Sequence, residues 1–357
     1  MPITPPAGTY SDWMAGFSDR DDLTLCDITF PASHDAGLSH APGGFIPYAV
    51  GGADSTICQY YNIGQQLMAG SRALDLRIQK KGGVPRCYHG DYKPLGGYGH
   101  RCDEFLPQID SFLDDHPGEI VIVRISHTKE SVGVHNLVLD MIDGDRLLKC
   151  GPRNLATLPL SKLRGKAIVI FDKKALAKTR PMQGLHRLHA YAAKKTLVKN
   201  TPGEGLPICG QYAGKDAKQP AIVKVAREFG NHHGNHDLKQ NNKHDHLFMI
   251  YWQQAMNVEK NATKGSGERL KALAKMDKDK GVHYNLDYLL NLHRGLPYVS
   301  KGPGKLKKNE VGILSNITLS NRAVHRPNWI NLDFICDSVV QKVIEFNTEM
   351  MPGGRGW

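Results

Sequence analysis

The sequence predicts an α/β fold in which parallel strands close into a (β/α) TIM-like barrel, one domain over residues 1–357. Three observations lead there. Short apolar runs bounded by turn residues have the length of buried strands. Amphipathic helical patterns lie between several of them, and strand–helix alternation implies a parallel sheet. The series is continuous, without a linker that would divide it, and six or more such units favour a barrel over an open sheet.

The strand candidates are Leu23–Phe30, Arg72–Ile78, Glu119–Ile125, Ala167–Phe171, Leu247–Trp252 and Trp329–Ile335. Helical patterns at Ile63–Ala69 and Cys102–Asp115 precede the second and third strands. Val134–Leu148 follows the third, and Cys336–Met350 closes the series. Loop insertions are expected near residues 37–56, rich in Gly and Pro, and near 231–281, polar, histidine-dense and then lysine-rich. His232, His233, His236, His244 and His246 form no HxxxH pair with a carboxylate on a helix, so that stretch is read as a solvated loop.

A formal net charge of +11 draws anions: nucleic acid, anionic lipid surfaces or phosphate-bearing small molecules. The bland alternative is a basic surface kept for solubility. The seven cysteines contain no CxxC pair and fit neither a zinc site nor a dense disulfide framework. They read mainly as thiols, with a Cys87–Cys102 bridge as the alternative. The first residues, MPITPPAGTYSDW, lack the basic start and apolar run of a signal peptide. No run reaches the roughly 18 apolar residues of a membrane span. The expectation is a cytoplasmic protein, or one exported without a classical signal.

Four segments carry chemistry. Asp27–Gly37 (DITFPASHDAG) ends a strand on His34 and Asp35. In SRALDLRIQ, Asp75 and Arg77 stand two apart and share one face of a strand with Ala73. In a barrel that polar face looks inward, where charges need partners. They form either a structural ion pair or a phosphate-binding arginine in a polar mouth. CYHG places His89 before a glycine, and PNWINLDFICD puts Asp333 near the end of a late apolar strand. A carboxylate there needs a histidine or Arg77 as its partner.

In this order, these segments resemble the X-type catalytic domain of phosphatidylinositol-specific phospholipase C. The likeness is dense in residues 25–130 and 325–340, and the middle third matches in pattern only. The resemblance implies a distorted (β/α) barrel and a phosphodiester lipid substrate. It implies His34 as general base, His89 as general acid, Asp333 as the carboxylate orienting the base, and Asp35 as partner of the acid. Arg77 stands where calcium-dependent members carry an acidic residue. An arginine cannot ligate a cation, so the resemblance implies no metal and no calcium. Asp75, Arg124, Ser126 and Tyr212 would contact the headgroup. Ser126 falls where members carry a charged residue, and Gly210 where they carry an acidic one. A different phosphodiester is therefore a second reading.

The third reading is a basic protein binding anionic membrane or nucleic acid. Lysines such as those of Lys301–Lys308 lack the interleaved aromatics of single-strand binders, and no nucleic-acid partner is expected. A peripheral anionic membrane surface is a partner expected beside the lipid. Phe45, Ile46, Tyr48, Tyr60 and Tyr61 either enter that interface or pack on the barrel rim.

Overall fold

Alternation gives each strand of this chain two faces, and the two faces pack into different cores. The structure is a computed structural model that describes residues 9–39, 46–47, 57–89, 96–128, 132–151, 153–172, 180–191, 205–209, 245–252, 286, 290 and 327–350. Within it run β1 (Phe30–Ser33), β2 (Ile46–Pro47), β3 (Ala73–Lys81), β4 (Val84–His89), β5 (Gly97–Arg101) and β6 (Ile120–Ser126). They are followed by β7 (Lys166–Phe171), β8 (Leu185–Tyr191), β9 (Leu206–Cys209), β10 (Leu247–Trp252) and β11 (Trp329–Leu332). The described helices are α1 (Ala15–Ser18), α2 (Ile63–Met68), α3 (Cys102–Asp115), α4 (Val132–Met141) and α5 (Asp337–Glu349).

β1 pairs in parallel with β3 on one side and β11 on the other. The circuit β1-β3-β6-β7-β8-β9-β10-β11 is parallel throughout and closes an 8-stranded barrel, as the alternating pattern predicts. β3 also continues outward into an antiparallel extension with β4, β5 and β2.

The outward residues Leu74, Leu76, Ile78, Val121, Val123, Ile125, Val169 and Phe171 pack against Phe105, Leu106 and Ile109 of α3 and Val134 and Val138 of α4. The inward residues Phe30, Ala32, Ala73, Ile122, Ile168, Ile170, Met249 and Trp329 fill the barrel's lower interior. Val339, Val340, Val343 and Phe346 of α5 cover Ile250, Trp252, Ile330 and Leu332. Each such fully buried aliphatic or Phe side chain contributes about 1.5–3 kcal/mol. The upper interior is polar, which leaves the site at the C-terminal ends of the strands.

Local chemistry explains where the observed elements differ from expectation. Strand β1 begins at Phe30 and not at Leu23. The Asp27 carboxylate accepts from Thr24 N at 2.8 Å while Thr24 Oγ1 accepts from Cys26 N at 3.2 Å. This capping box closes a single 3₁₀ turn, so Leu23, Leu25 and Ile28 join the core as a plug. α4 stops at Met141 because Asp143 Oδ1 accepts from Asp145 N at 2.9 Å and turns the chain. Leu147 and Leu148 then run beside β7, with Leu148 N donating to Ala167 O at 3.0 Å. Beneath the barrel, Arg72 and Glu119 form an ion pair with both side chains 0% exposed. Arg72 also donates to the carbonyls of Leu67, Ser71, Tyr10 and Ser11, and Glu119 accepts from Met14 N, which ties the N-terminal segment to the barrel floor.

The six cysteines whose side chains are described are thiols, and the Cys87–Cys102 bridge does not form. The expected insertion at 231–281 lies outside the described residues, and of 37–56 only Gly37–Ser39 and β2 lie within them. Among the described residues no helix is long and apolar enough to cross a membrane.

Candidate active site

Two strand ends that meet at the barrel's closure supply the first pair. His34 N donates to Leu332 O at 3.0 Å, which carries the β1 ladder one residue past Ser33. The chain then turns through Asp35 at φ +43°, a left-handed conformation that aspartate tolerates better than most residues. Ala36 N bonds Asp75 O at 2.9 Å, pinning the turn to β3. A Cβ at Gly37 would lie 2.1 Å from Cys87 Sγ, so only glycine lets the turn approach β4. The order His-Asp-Ala-Gly thus follows from packing as well as chemistry.

Opposite, Asp333 directly follows β11 and is followed by Phe334 at φ +52°. The two ends are stitched by Gln59, which is fully buried. Its Nε2 donates to His34 O at 2.8 Å and Leu332 O at 2.9 Å, and its Oε1 accepts from Ile335 N at 3.0 Å. Neighbouring Cys58 accepts at its carbonyl from Phe334 N at 2.7 Å. Tyr60 packs on Phe334 with ring centroids 4.4 Å apart, which is a rim contact. Phe45 and Tyr48 lie outside the described residues, and Ile46 is given by its backbone.

The structure brings His34, Asp35, Arg77, His89 and Asp333 together. His34 Nδ1 lies 2.8 Å from Asp333 Oδ1. Asp35 Oδ2 lies 3.5 Å from His34 Nε2 and 3.7 Å from His89 Nε2, while Asp35 Oδ1 lies 3.1 Å from Arg77 Nε. Arg77 Nη2 reaches to 3.5 Å from His34 Nε2. The His34 side chain is 9% exposed and that of His89 31%, so a ligand entering from the mouth meets His89 on the open side. His89 comes from the antiparallel extension and not from a barrel strand.

Burial of His34 disfavours its charged form, but the carboxylates of Asp35 and Asp333 outweigh this and hold its pKa well above an ordinary imidazole. Burial would likewise raise Asp35, yet Arg77, His34 and His89 together hold it below the usual carboxylate range. Asp35 raises Arg77 further above its already high value. Burial, with Asp333 beside it, pushes the Cys58 thiol up to about 11.

One layer down, Asp75 Oδ1 lies 3.4 Å from both Arg124 Nη1 and Ser126 Oγ. All three side chains are buried, Asp75 and Arg124 one step down the strands and Ser126 in register with Arg77, and Asp75 engages both of the others. Tyr212 lies outside the described residues.

Three residues at the site were not anticipated: Gln59, Cys58 and His127. His127 sits at φ +53° just past β6, with its N–H on Asp172 Oδ2 at 2.8 Å, its carbonyl accepting from Tyr88 Oη at 2.7 Å, and its Nδ1 3.1 Å from Ser126 Oγ. Burial, then Arg77 and Arg124, lower its pKa. Its signal was present in RISHT, directly after Ser126.

No protein-family model matches the sequence, and no curated protein matches it. Solved structures do resemble it. A phosphatidylinositol-specific phospholipase C from Staphylococcus aureus is 15% identical over 96% of this chain and 99% of that one, with a TM-score of 0.59. A second S. aureus structure is 14% identical over 96% and 100%, with a TM-score of 0.57. The phosphatidylinositol-specific phospholipase C of Listeria monocytogenes is 17% identical over 95% and 98%, with a TM-score of 0.54. Identity this low speaks to architecture: the chain is a single closed (β/α) barrel of the fold those phospholipases share.

Proposed function

We propose that this chain cleaves the phosphodiester of an inositol phospholipid, releasing diacylglycerol and inositol 1,2-cyclic phosphate. The observation that carries the reading is the placement of both Nε2 atoms, of His34 and His89, at 3.5 and 3.7 Å from one Asp35 oxygen, with Arg77 on the other. Two imidazoles about one charged pocket suit a reaction that removes one proton and delivers another. His34 Nε2 takes the proton of the inositol 2-hydroxyl as that oxygen attacks phosphorus. His89 gives a proton to the glycerol oxygen as the P–O bond breaks. Each transfer is worth about 10²–10⁴-fold. Asp333 holds Nδ1–H and so keeps Nε2 as the basic nitrogen. Arg77 faces the phosphoryl oxygens as a fixed cation where charge grows.

The proposed chemistry uses the guanidinium in place of a metal, so calcium is not required. Likeness to proteins that act on membranes supports a lipid substrate: one S. aureus structure concerns modulation of that protein's membrane binding. The charge of +11 suits an anionic surface. A second reading keeps the chemistry and changes the headgroup. It is favoured by the engagement of Asp75 with Arg124 and Ser126, which leaves His127 above them at the mouth.

The test is turnover of phosphatidylinositol vesicles and a panel of other phosphodiesters, with chelator present, by the native chain and by His34→Ala and His89→Ala. Release of both products, surviving the chelator and falling at least about 10²-fold in each variant, is expected. Turnover of another diester alone selects the second reading. Loss with chelator overturns the role of Arg77. Biological activity unchanged in both variants makes the chain a binding protein.

A further inference from the structure

The mechanism above leaves one group at its centre without a task. Cys58 is buried at the closure of the barrel, beside the proposed base. A ring nitrogen of His34, a carboxylate oxygen of Asp35 and the Cys58 sulfur all lie within 4.8 Å of one another. We propose that these three side chains form a site for a thiophilic divalent cation, Zn²⁺ or Cd²⁺, which on binding shuts off the base.

Four features support it. The first is donor type: thiolate, imidazole and carboxylate together select soft or borderline ions, whereas Ca²⁺ and Mg²⁺ want oxygen ligands. The second is spacing. Zinc bond lengths of about 2.0–2.3 Å put the ligand atoms of a tetrahedron about 3.3–3.8 Å apart. Asp35 Oδ2 and His34 Nε2 already stand 3.5 Å apart, so such an edge exists. Closing the remaining separation asks for side-chain movement of about 1 Å.

The third is the outer support. A metal-binding imidazole nearly always gives its other N–H to a carboxylate, which fixes the ring and the tautomer. Asp333 does this at 2.8 Å on Nδ1, leaving Nε2 for the ion. The fourth is division of labour on Asp35. Arg77 engages Oδ1 at 3.1 Å, and Oδ2 faces the two histidines. His89 Nε2, at 3.7 Å from that oxygen, stands within reach of a fourth position that water would otherwise take.

Arg77 Nη2 lies 3.5 Å from His34 Nε2 and opposes any cation there. A hard ion held by one carboxylate and one imidazole does not overcome it, so the thiolate decides. The thiol proton and any proton on His34 leave to solvent as the ion binds. Cys58 therefore makes the base a target for soft metals in a reaction that itself uses none. The inhibitory consequence rests on the proposed function; the binding does not.

The test keeps these apart. Cd²⁺, Zn²⁺, Ca²⁺ and Mg²⁺ are titrated into the metal-free chain by calorimetry, and Cd²⁺ also by the ultraviolet thiolate-to-metal band, with no substrate present. Cys58→Ala and Cys58→Ser are compared with the native chain, each first shown to be folded by its melting transition. One Cd²⁺ per chain is expected, bound at least about tenfold more weakly in both variants, with the band reduced and no comparable uptake of Ca²⁺ or Mg²⁺. Equal affinity and an equal band in a folded variant overturn the proposal. In the activity assay, Zn²⁺ should inhibit the native chain reversibly and spare Cys58→Ala, whose basal turnover persists. Metal binding as expected in a chain with no turnover would refute the enzyme reading alone.

Discussion

Replacing Asp333 by Asn removes the negative charge behind His34 and little else, since the amide oxygen can still accept from Nδ1–H. The pair is close, 2.8 Å, and nearly dry, with side chains 9% and 7% exposed. A hydrogen bond to a charged group in such a place is worth about 1.5–3 kcal/mol. The neutral bond that remains keeps about 0.5–1.5 kcal/mol of this, so the net loss is about 1–2 kcal/mol. At 1.36 kcal/mol per decade, kcat/KM should fall by about 5- to 30-fold, with KM little changed. The pH profile separates chemistry from mere packing. Asp333 helps hold His34 above its ordinary value, and a base works only above its pKa. Losing that carboxylate should move the acidic limb of kcat/KM to lower pH, while Asp35 keeps part of the elevation. Stability gives an independent sign. A group whose folded pKa is raised stabilises fully below its unfolded value and loses that contribution as pH rises through the folded one. The variant should therefore be destabilised more in mildly acidic than in alkaline urea titrations. A rate unchanged within a factor of about three and an unmoved limb would refute the orienting role.

Two further outcomes can be checked. Arg77→Lys keeps the charge but loses the planar fork that reaches Asp35 Oδ1 and His34 together. kcat with phosphatidylinositol should drop by about 10–10²-fold, and added Ca²⁺ should not restore it. Arg72→Met strands Glu119 in the barrel floor, where both side chains are fully buried. Urea unfolding should show a loss of about 3–5 kcal/mol, and Arg72→Met/Glu119→Leu should recover only part, because the carbonyls of Tyr10, Ser11, Leu67 and Ser71 still lack their donor.

What the sequence made legible were contrasts of polarity. On β3 the alternation Leu74, Leu76, Ile78 against Ala73, Asp75, Arg77 set both faces, and the charged face needed a polar interior. His34 and Asp333 stood out because each ends an apolar run. Strands β8 and β9 did not stand out. His186, Arg187 and His189 break the apolar run of β8, and His186 is made tolerable inside only by a 2.6 Å bond from its Nε2 to Leu148 O. β9 has four residues, LPIC, too few to show a period. Gln59 was illegible for another reason. It acts on three backbone groups of distant segments, and nothing in its neighbourhood marks a glutamine so employed. Cys58 gained meaning only when folding set it beside His34.

The closure of the barrel has a temporal side. His34 and Asp333 are 299 residues apart, yet they meet because β1 lies between β3 and β11. On the ribosome, the proposed base is made 299 residues before its carboxylate. Until β11 docks, β1 has an open edge, Gln59 has nothing to stitch, and His34 lacks its orienting partner. Contacts this far apart in sequence form slowly. On the proposed function, competence would wait for that docking, and first turnover after dilution from denaturant would serve as a clock for insertion of β11.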